Sequence, residues 1–449
     1  MSEAWWSERV YIDGELIPAC VRFSGGTIDS VRAGARPDDA RDFGDWLITP
    51  AFVDAHTHLA LVALRGYDAS AARGTVVEDL FYRFETLLDA SDIAAFARVG
   101  AFEALASGIG VVWDHYFHAS ALADAIASTG LCAVVVPTLQ DLAGPGVGQV
   151  ESALAATEAL TTRGDGIYAA YGAHATDTVS ARLFREVIAR AKETQQPIHA
   201  HLAQSVEEVE RARVRHGCTP AEWLDELGAF EAPGVYAHGL YLSGDDLRRM
   251  GDQQTLVSCP MAQTVFAFPA PTQPWDAAGV RWCVATDAVA SNDSHNLLKE
   301  LRSLSRRHAF EVAGSDAHAR FIQGTLSAAE LWRVRTEAYD GALQASDLLS
   351  RVWHIPGALH PAFRAGVLEA GALANMLVWN TDDASFWPGH APLHTLVHGD
   401  ALGALHAMVV RGNSIGEEGE LQQSLRRSPA YTAAREEADA RLQQRLSEL

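Results

Sequence analysis

The sequence predicts an α/β protein in which a (β/α)8 barrel of the TIM type is joined to a small β-sandwich domain built from both chain ends. The middle of the chain alternates short apolar, β-branched runs with helical patterns, as buried parallel strands and their crossover helices do. Both ends instead show β-hairpin patterns, in which turn pairs such as Asp13-Gly14 and Gly25-Gly26 separate short strands. Together these observations predict a barrel and a smaller domain that the two termini complete.

The middle of the chain contains eight β-like runs, which is the number of strands in a closed barrel of this type. Helical patterns lie between them, for example over Asp92–Ala106, Ala181–Thr194 and Val206–His216. In chain order, the predicted strands are Ala51–Thr57, Gly110–Asp114, Leu131–Pro137, Ile167–Ala173, Pro197–His201, Gly234–His238, Thr255–Cys259 and Val280–Asp287.

The predicted domain boundaries follow the start and the end of this β/α alternation. We expect the barrel over residues 51–361. The β-sandwich is expected over residues 1–50 together with 362–425, where Gly-rich turns separate short strands again. Residues 426–449 are rich in Ala, Arg and Glu, and they predict a polar helical tail.

Composition excludes several classes of protein. The formal net charge of −22 over 449 residues opposes binding to nucleic acid or to an anionic membrane. No stretch approaches the ~18 uninterrupted apolar residues of a membrane span, and the start of the sequence has no signal-peptide pattern. The five cysteines form no Cys-x-x-Cys pair and are typical of free thiols in a reducing compartment. We therefore expect a cytoplasmic protein with no nucleic-acid or membrane partner.

Ionisable side chains recur where the predicted strands end, and the carboxyl ends of barrel strands form the active-site face. His56 and His58 project to one side of a strand, because successive strand residues alternate faces. His199 and His201 form a second such pair, and spacing does not choose the ligand between them. Three imidazoles with one carboxylate suit catalytic zinc or ferrous iron. The strand ends carry, in order, His56 and His58, Asp114 and His115, His174, His201, His238 and Asp287.

The motifs around these residues resemble the amidohydrolase superfamily over nearly the whole chain. More narrowly, they resemble its cytosine deaminase and chlorohydrolase-like branch, which includes triazine hydrolases and adenosylhomocysteine deaminases. The resemblance is carried by Asp54-Ala55-His56-Thr57-His58-Leu59 with Leu64-Arg65-Gly66, Gly172-Ala173-His174-Ala175, His199-Ala200-His201-Leu202-Ala203, Ala237-His238-Gly239, part of Ser258-Cys259-Pro260-Met261, and Thr286-Asp287 with Ser291-Asn292-Asp293.

The resemblance implies one divalent metal, with Zn²⁺ expected before Fe²⁺. It implies His56, His58, His201 and Asp287 as the metal ligands, with His201 chosen because the second histidine of the fifth-strand motif is the ligand in the family. A homodimer is also implied by the resemblance, and by nothing else in the sequence.

The implied activity is hydrolysis of a non-peptide carbon–nitrogen bond in a small nitrogen-containing compound. Metal-activated water attacks an sp² carbon in such a reaction. Asp287 is expected to take a proton from this water, His238 to contact the water or the substrate, and His174 to contact the substrate. Aminohydrolase chemistry is expected first, and dehalogenation is a further activity of this branch.

Gln204 is a departure from the resemblance. The deaminases of this branch usually carry Glu three residues after the fifth-strand ligand, where it protonates the ring nitrogen and the departing amine. Gln204 is expected to face the substrate and take part in catalysis, but a carboxamide cannot shuttle a proton.

Three hypotheses address this departure. The substrate needs no shuttle, as in ring opening of a cyclic amide or imine by relatives similar to imidazolonepropionase. Alternatively, another acid serves, for which Glu207, Glu208, Asp114 and His115 are candidates. The third hypothesis is a catalytically silent protein that binds a metal and a ligand.

Five aromatic residues are candidates for the wall of a substrate pocket. Phe81, Tyr82, Phe84, Tyr116 and Phe117 either line a pocket for a flat ring or belong to the helix and loop core.

Overall fold

The computed structural model describes residues 2–67, 77–265, 272–313, 315–340 and 343–448. Its strands are, in chain order, β1 (Glu3–Ile12), β2 (Glu15–Ser24), β3 (Thr27–Ala33), β4 (Arg41–Asp42), β5 (Leu47–Pro50), β6 (Phe52–Thr57), β7 (Ile109–Tyr116), β8 (Cys132–Leu139), β9 (Ile167–Ala169), β10 (Gly172–Ala173), β11 (Ile198–Leu202), β12 (Gly234–His238), β13 (Gln254–Ser258), β14 (Arg281–Val284), β15 (Met376–Trp379), β16 (Leu405–Val410) and β17 (Asn413–Ile415).

The α-helices lie mainly between and after the parallel strands. In chain order they are α1 (Tyr82–Glu85), α2 (Ala90–Ala106), α3 (Ala119–Ala127), α4 (Val150–Thr161), α5 (Ala181–Thr194), α6 (Val206–His216), α7 (Pro220–Glu226), α8 (Gly244–Arg249), α9 (Pro260–Val265), α10 (Gln273–Ala277), α11 (Val289–Asn292), α12 (Leu297–Ala313), α13 (Asp316–Ile322), α14 (Ala328–Asp340), α15 (Ala345–Ser350), α16 (His354–Gly357), α17 (Pro392–His398), α18 (Leu421–Arg427) and α19 (Pro429–Leu446).

Strands from both ends of the chain form one sheet, in the order β17-β16-β15-β5-β1-β2-β3, with β4 beside β1. The predicted hairpin turn joins β1 to β2, and Asp13 and Gly14 both have positive φ, 50° and 91°, as a tight two-residue turn requires. The sheet has its own apolar core, in which Trp5 packs edge-on against Phe23 and Phe43. Because the strands are hydrogen-bonded into one sheet, the second layer of a sandwich stays a prediction.

The middle of the chain forms parallel sheets of the TIM-barrel type. One sheet pairs β6 with β7, β7 with β8, and β8 with both β9 and β10, and the other has the order β11-β12-β13-β14. Isolated parallel bridges between Tyr171 and Ile198 and between Thr57 and Asp287 link the edges of the two sheets. Each predicted run contains a strand, although the fourth is split into β9 and β10. Apolar residues on both faces of these strands are buried, as their composition predicted.

The predicted C-terminal tail is helical and packs against the barrel helix α2. Ala434 and Ala438 of α19 are buried, and the ring of Tyr431 meets Phe102 of α2 edge-on at 5.7 Å between centroids. At the far end of α19, Arg445 donates hydrogen bonds to Asp92, whose carboxylate is 1% exposed, and to Asp89. The helix is therefore held by small apolar contacts at one end and by ion pairs at the other.

We expect Arg445→Ala to lower the apparent Tm by about 2–4 °C, the shift that about 1 kcal/mol produces in a medium-sized domain. The loss follows because Asp92 is buried and its remaining cationic partner would be Arg441, at a longer 3.3 Å, beside the hydrogen bond it accepts from the Asp89 backbone N–H. Differential scanning fluorimetry measures it, with Arg435→Ala as control, since Arg435 pairs with Asp439 on the exposed side of the same helix. Equal melting temperatures for the two variants would contradict the role given to Arg445.

Two further findings concern membrane-spanning helices and the cysteines. Among the helices of the described ranges, none combines the length and apolarity needed to cross a membrane. All five cysteines are free.

Candidate metal and active site

Four ionisable residues from three distant parts of the sequence meet at the carboxyl ends of the parallel strands. Asp287 Oδ1 lies 3.5 Å from His56 Nε2 and 3.4 Å from His58 Nε2. His201 Nε2 lies 3.4 Å from His58 Nε2. His238 joins the group, because its donor atom and those of His56 and His201 lie within 4.8 Å of one another. The structure thus brings together the four predicted metal ligands and the predicted catalytic histidine.

Strand register explains why these side chains converge. His201 lies opposite Ala237 in the parallel pairing of β11 with β12, and Leu202 lies opposite His238. The bridge between Thr57 and Asp287 brings the eighth strand segment beside β6. Because neighbouring parallel strands run in the same direction, residues at their carboxyl ends collect on one rim.

The structure also distinguishes the two histidines of β11, which sequence spacing could not do. Both are buried, but His199 Nε2 lies 3.2 Å from the Ala55 carbonyl oxygen and 3.3 Å from His56 Nδ1. Its other ring nitrogen lies 3.1 Å from His115 Nδ1. His199 therefore supports the rings of its neighbours, whereas His201 reaches His58 and the cavity described below.

The donor atoms fit a divalent metal. In tetrahedral zinc sites with bonds of about 2.1 Å, neighbouring ligand atoms are about 3.4 Å apart, which matches the distance of His58 Nε2 from His201 Nε2 and from Asp287 Oδ1. His58 Nδ1 lies 2.7 Å from the His115 carbonyl oxygen, and His201 Nδ1 lies 2.9 Å from that of His174. Each Nδ1–H donates to its carbonyl, so each Nε2 keeps a lone pair facing the cluster. Two such lone pairs at 3.4 Å repel each other unless they share a cation.

The electrostatics of the cluster favour a bound cation. Burial lowers the pKa of His56 to about 4 and holds the pKa of His201 well below its ordinary value, so both imidazoles are neutral near pH 7. Burial opposes ionisation of Asp287 as well, but the adjacent His56 and His58 outweigh burial and hold the pKa of this carboxyl well below its usual range. Burial lowers the pKa of His58, and the negative charge of Asp287 more than reverses this. Asp287 therefore makes the site attractive to positive charge.

The backbone at these strand ends is strained, and a buried carboxylate holds it in place. Asp287 and His238 have φ of 61° and 79°, in the left-handed region that residues other than glycine rarely adopt. Asp54, which is fully buried, accepts hydrogen bonds from Thr286 N at 3.0 Å and Thr286 Oγ1 at 2.5 Å. Asp54 therefore positions Asp287. Sequence reasoning quoted Asp54 in the first motif but gave it no role, although it shares a strand face with His56.

The eighth strand is shorter than predicted. β14 ends at Val284, so Asp287 lies three residues beyond its last ladder pair. The hydrogen bonds from Thr286 to Asp54, and the bridge to Thr57, take the place of the ladder here.

A cavity opens beside the cluster and contains the predicted substrate-facing residues. His174 and Gln204 line it, and the Nδ1 atom of His174 lies 2.9 Å from Thr178 Oγ1, which fixes the ring. Phe84 instead packs against Phe96 with ring centroids 6.3 Å apart. The other four predicted aromatic residues, Phe81, Tyr82, Tyr116 and Phe117, line the cavity.

Most of the acids proposed to compensate for Gln204 lie elsewhere. Glu208 accepts hydrogen bonds from Thr176 Oγ1 at 2.6 Å and from the backbone N–H of Gln204 at 2.8 Å, and it does not line the cavity. Asp114 accepts a hydrogen bond from Leu59 N and does not line the cavity either. His115 does line it.

Glu85 is a cavity residue that sequence reasoning missed. Among the described residues, it and Asp287 supply the carboxyl side chains of the cavity lining. The available signal was its position one residue after Phe84, within the aromatic run that was already considered as a pocket wall.

Parallel strands that gather imidazoles and a carboxylate on one rim are typical of TIM-barrel-type hydrolases that use a metal. The chain belongs to the amidohydrolase family, whose profile matches residues 47–402. The predicted family and the predicted enzyme class, a hydrolase of carbon–nitrogen bonds other than peptide bonds, are confirmed.

Similar proteins support the same assignment. A 5-methylthioadenosine/S-adenosylhomocysteine deaminase from Halobacterium salinarum is 30% identical over 311 residues, which are 68% of this chain and 72% of the relative. An adenosine deaminase from Xanthomonas campestris, solved with bound zinc, has a TM-score of 0.80 at 21% identity and covers 98% of each chain. A triazine hydrolase from Arthrobacter aurescens has a TM-score of 0.79 at 18% identity, over 97% of this chain and 99% of its own. At these identities the solved structures show a shared fold.

Proposed function

We propose that the protein is a metal-dependent aminohydrolase that releases ammonia from an aminated heterocycle, with adenine nucleosides as the first substrate class. The observation that carries the proposal is the convergence of His56, His58, His201, His238 and Asp287 beside a cavity with aromatic walls. The names of the sequence relatives support the choice of substrate class, since those relatives are deaminases of adenine nucleosides.

His56, His58, His201 and Asp287 would hold the metal, with zinc favoured by the zinc-bound structural relative and Fe²⁺ as the alternative. When bound, such a metal lowers the pKa of a water molecule, so that a nucleophile is available near neutral pH. The neutral imidazoles of His56 and His201 support this assignment, because a metal binds an unprotonated ring nitrogen.

The side chains around the cluster would perform the remaining steps. Asp287 carries a negative charge near neutral pH and is placed to accept a proton from the attacking water. Burial lowers the pKa of His238, and its Nδ1 has no hydrogen-bond partner among the described residues, so its neutral ring is available to the oxygen that gains charge during attack. His174 would bind the substrate, and Phe117 and Tyr82 would flank a flat ring.

A second function is favoured by one specific observation. The Gln204 carboxamide lines the cavity where a proton shuttle is expected, and it cannot deliver a proton. Displacement of a halide needs no such shuttle, and ring opening of a cyclic amide or imine needs less of one where its carbon–nitrogen bond is activated.

The experiment is an activity screen with protein loaded separately with zinc and with ferrous iron. Ammonia release is measured with 5-methylthioadenosine, S-adenosylhomocysteine, guanine, pterins and amino-triazines, and ring opening or chloride release with cyclic amides and chlorotriazines. We expect ammonia from an adenine nucleoside, and we expect a chelator to abolish it. Ring opening or chloride release without ammonia would replace the proposal by the second function. Tight ligand binding without any turnover would support the catalytically silent alternative.

The closure of the barrel and the domain boundaries are further proposals. We propose that β6 to β14 close into one barrel over residues 51–361, because the bridge between Thr57 and Asp287 brings the first strand beside the segment that follows the last. Residues 1–50 with 362–425 would then form the second domain and 426–449 the helical tail. The homodimer and the cytoplasmic location stay predictions.

A further inference from the structure

A second cavity lies outside the catalytic site, between the barrel and the C-terminal helices. Its walls come mainly from helices α2, α18 and α19 and from the segment that follows Asp287 and begins α12. Its volume is about 330 Å³, which is enough for a small molecule. Among the described residues, the two cavities share no lining residue. We name the second one, between Glu103 of α2 and Arg426 of α18, the α2–α18 cleft.

The walls of the α2–α18 cleft carry an excess of positive charge. Arg65, Lys299 and Arg426 line the cleft, and Glu103 is the carboxyl of its described lining. The described lining is therefore positive, whereas the whole chain has a formal net charge of −22. The three cationic residues are exposed, so a ligand can reach them from solvent. A local positive field of this kind attracts anions to one place on an otherwise acidic protein.

Two of the three cations have no acidic partner. Arg65 is neutralised by its ion pair with Glu103. Lys299 Nζ donates only a long hydrogen bond, of 3.4 Å, to Ser294 Oγ, and within the described ranges neither Lys299 nor Arg426 forms an ion pair with a carboxylate. Like charges that face one cleft repel each other, and an anion between them would turn this repulsion into attraction.

The cleft also has an apolar wall, and its cationic wall is held in position. Phe102 and Leu425 line it, and each is only 7% exposed. The ring of Tyr431, which packs edge-on against Phe102, completes this wall. Gln422 Nε2 donates hydrogen bonds to the carbonyl oxygens of Ala106 and Leu402, at 3.2 and 3.3 Å, and so ties α18 to the barrel one turn before Arg426. A ligand with a carbon body and an anionic group matches both walls.

We propose that the α2–α18 cleft binds a small organic anion, which carries a phosphate or carboxylate group on an apolar body. Lys299 and Arg426 contact the anionic group, to which a guanidinium can donate two parallel hydrogen bonds. Phe102 and Tyr431 contact the body. This binding site is separate from the proposed aminohydrolase chemistry and does not depend on it.

A ligand in the cleft would join parts of the fold that are far apart in the sequence. Lys299 lies in α12, soon after the connection that contains Asp293, and Asp293 accepts a hydrogen bond from the backbone of Gly66, next to Arg65. Arg426 belongs to α18, near the end of the chain. Because such a ligand binds the folded protein and not the unfolded chain, its binding should raise the apparent Tm.

The test is titration of the metal-loaded protein with sodium phosphate, phenyl phosphate and benzoate, followed by isothermal titration calorimetry and differential scanning fluorimetry. Sodium chloride keeps the ionic strength constant. We expect saturable binding, with phenyl phosphate tighter than phosphate because it has both an anionic group and an apolar body. The comparison of phenyl phosphate with benzoate shows whether phosphate or carboxylate is preferred. The double variant Lys299→Ala/Arg426→Ala should bind phenyl phosphate at least about tenfold more weakly, because it lacks two charge-assisted contacts.

Arg427→Ala is the matched control, because Arg427 is the next residue of α18 and pairs with Glu420 at 3.7 Å outside the cleft lining. It should keep the affinity of the parent protein. Equal affinities in the control and the double variant would overturn the inference, since the anion would then bind at the metal cluster or by general screening. Absence of saturable binding, or phosphate binding as tight as that of phenyl phosphate, would overturn it as well. None of these outcomes depends on whether the protein releases ammonia.

Discussion

His201→Ala is expected to remove the bound metal and the activity together. His201 Nε2 lies 3.4 Å from His58 Nε2, and its Nδ1 is held by the His174 carbonyl oxygen, so alanine removes both the proposed ligand and an ordered ring. Removing a partner outside the ligand set of a metal site typically weakens affinity 10- to 100-fold, and loss of a ligand should exceed about 100-fold. Elemental analysis after dialysis, with kcat measured on the same sample, tests this.

His216→Ala provides the control for His201→Ala. His216 ends helix α6 and stacks on Trp223, with 4.2 Å between ring centroids, and it belongs neither to the cluster nor to the cavity lining. The control should retain metal and activity. A folded His201→Ala protein that keeps its full metal content would refute the ligand assignment, and His199 would then need to be reconsidered.

Asp287→Asn is expected to separate metal binding from turnover. The carboxamide keeps the shape of the side chain, but it has no negative charge and cannot accept a proton. We expect kcat to fall by about 10²- to 10⁴-fold, the usual contribution of a positioned base. The three imidazoles remain, so metal affinity should weaken without being lost. Steady-state kinetics in the presence of excess metal distinguishes the two effects.

Asp293→Asn is the matched control for the charge of Asp287. Asp293 lies in the same connection, is exposed, and accepts a hydrogen bond from the backbone of Gly66 rather than facing the cluster. Asparagine tolerates its positive φ of 62°. If Asp287→Asn were as active as this control, Asp287 would have no part in the chemistry.

Much of the fold could be predicted because local periodicity carries the information. Apolar β-branched runs mark buried parallel strands, and the structure has a strand within every predicted run. The fourth strand was predicted as one piece, whereas the structure has β9 and β10 with two residues between them. β9 pairs with β8 at Ala133–Val135, and β10 pairs with β8 at Thr138–Leu139. β8 is therefore one continuous strand, and only its partner is divided into two pieces.

The sequence identified most residues of the candidate site but missed one of them. His56, His58, His201, His238 and Asp287 were identified by their motifs, and the structure brings them together. Glu85 was missed because it lies on a four-residue helix after a π-helical turn, where no repeating pattern indicates which side chain faces inward.

By itself, the sequence determined the family, the order of strands and helices, and which residue types collect at the strand ends, because motif order and apolar periodicity are properties of the linear chain. Tertiary structure decided that His201 lines the cavity, whereas His199 contacts His56, the Ala55 carbonyl and His115. Residues two apart on a strand share a face, and only pairing with neighbouring strands sets which one reaches the rim. It also decided that Asp54 holds Thr286 and that α19 packs on α2, since these contacts join residues 232 and more positions apart.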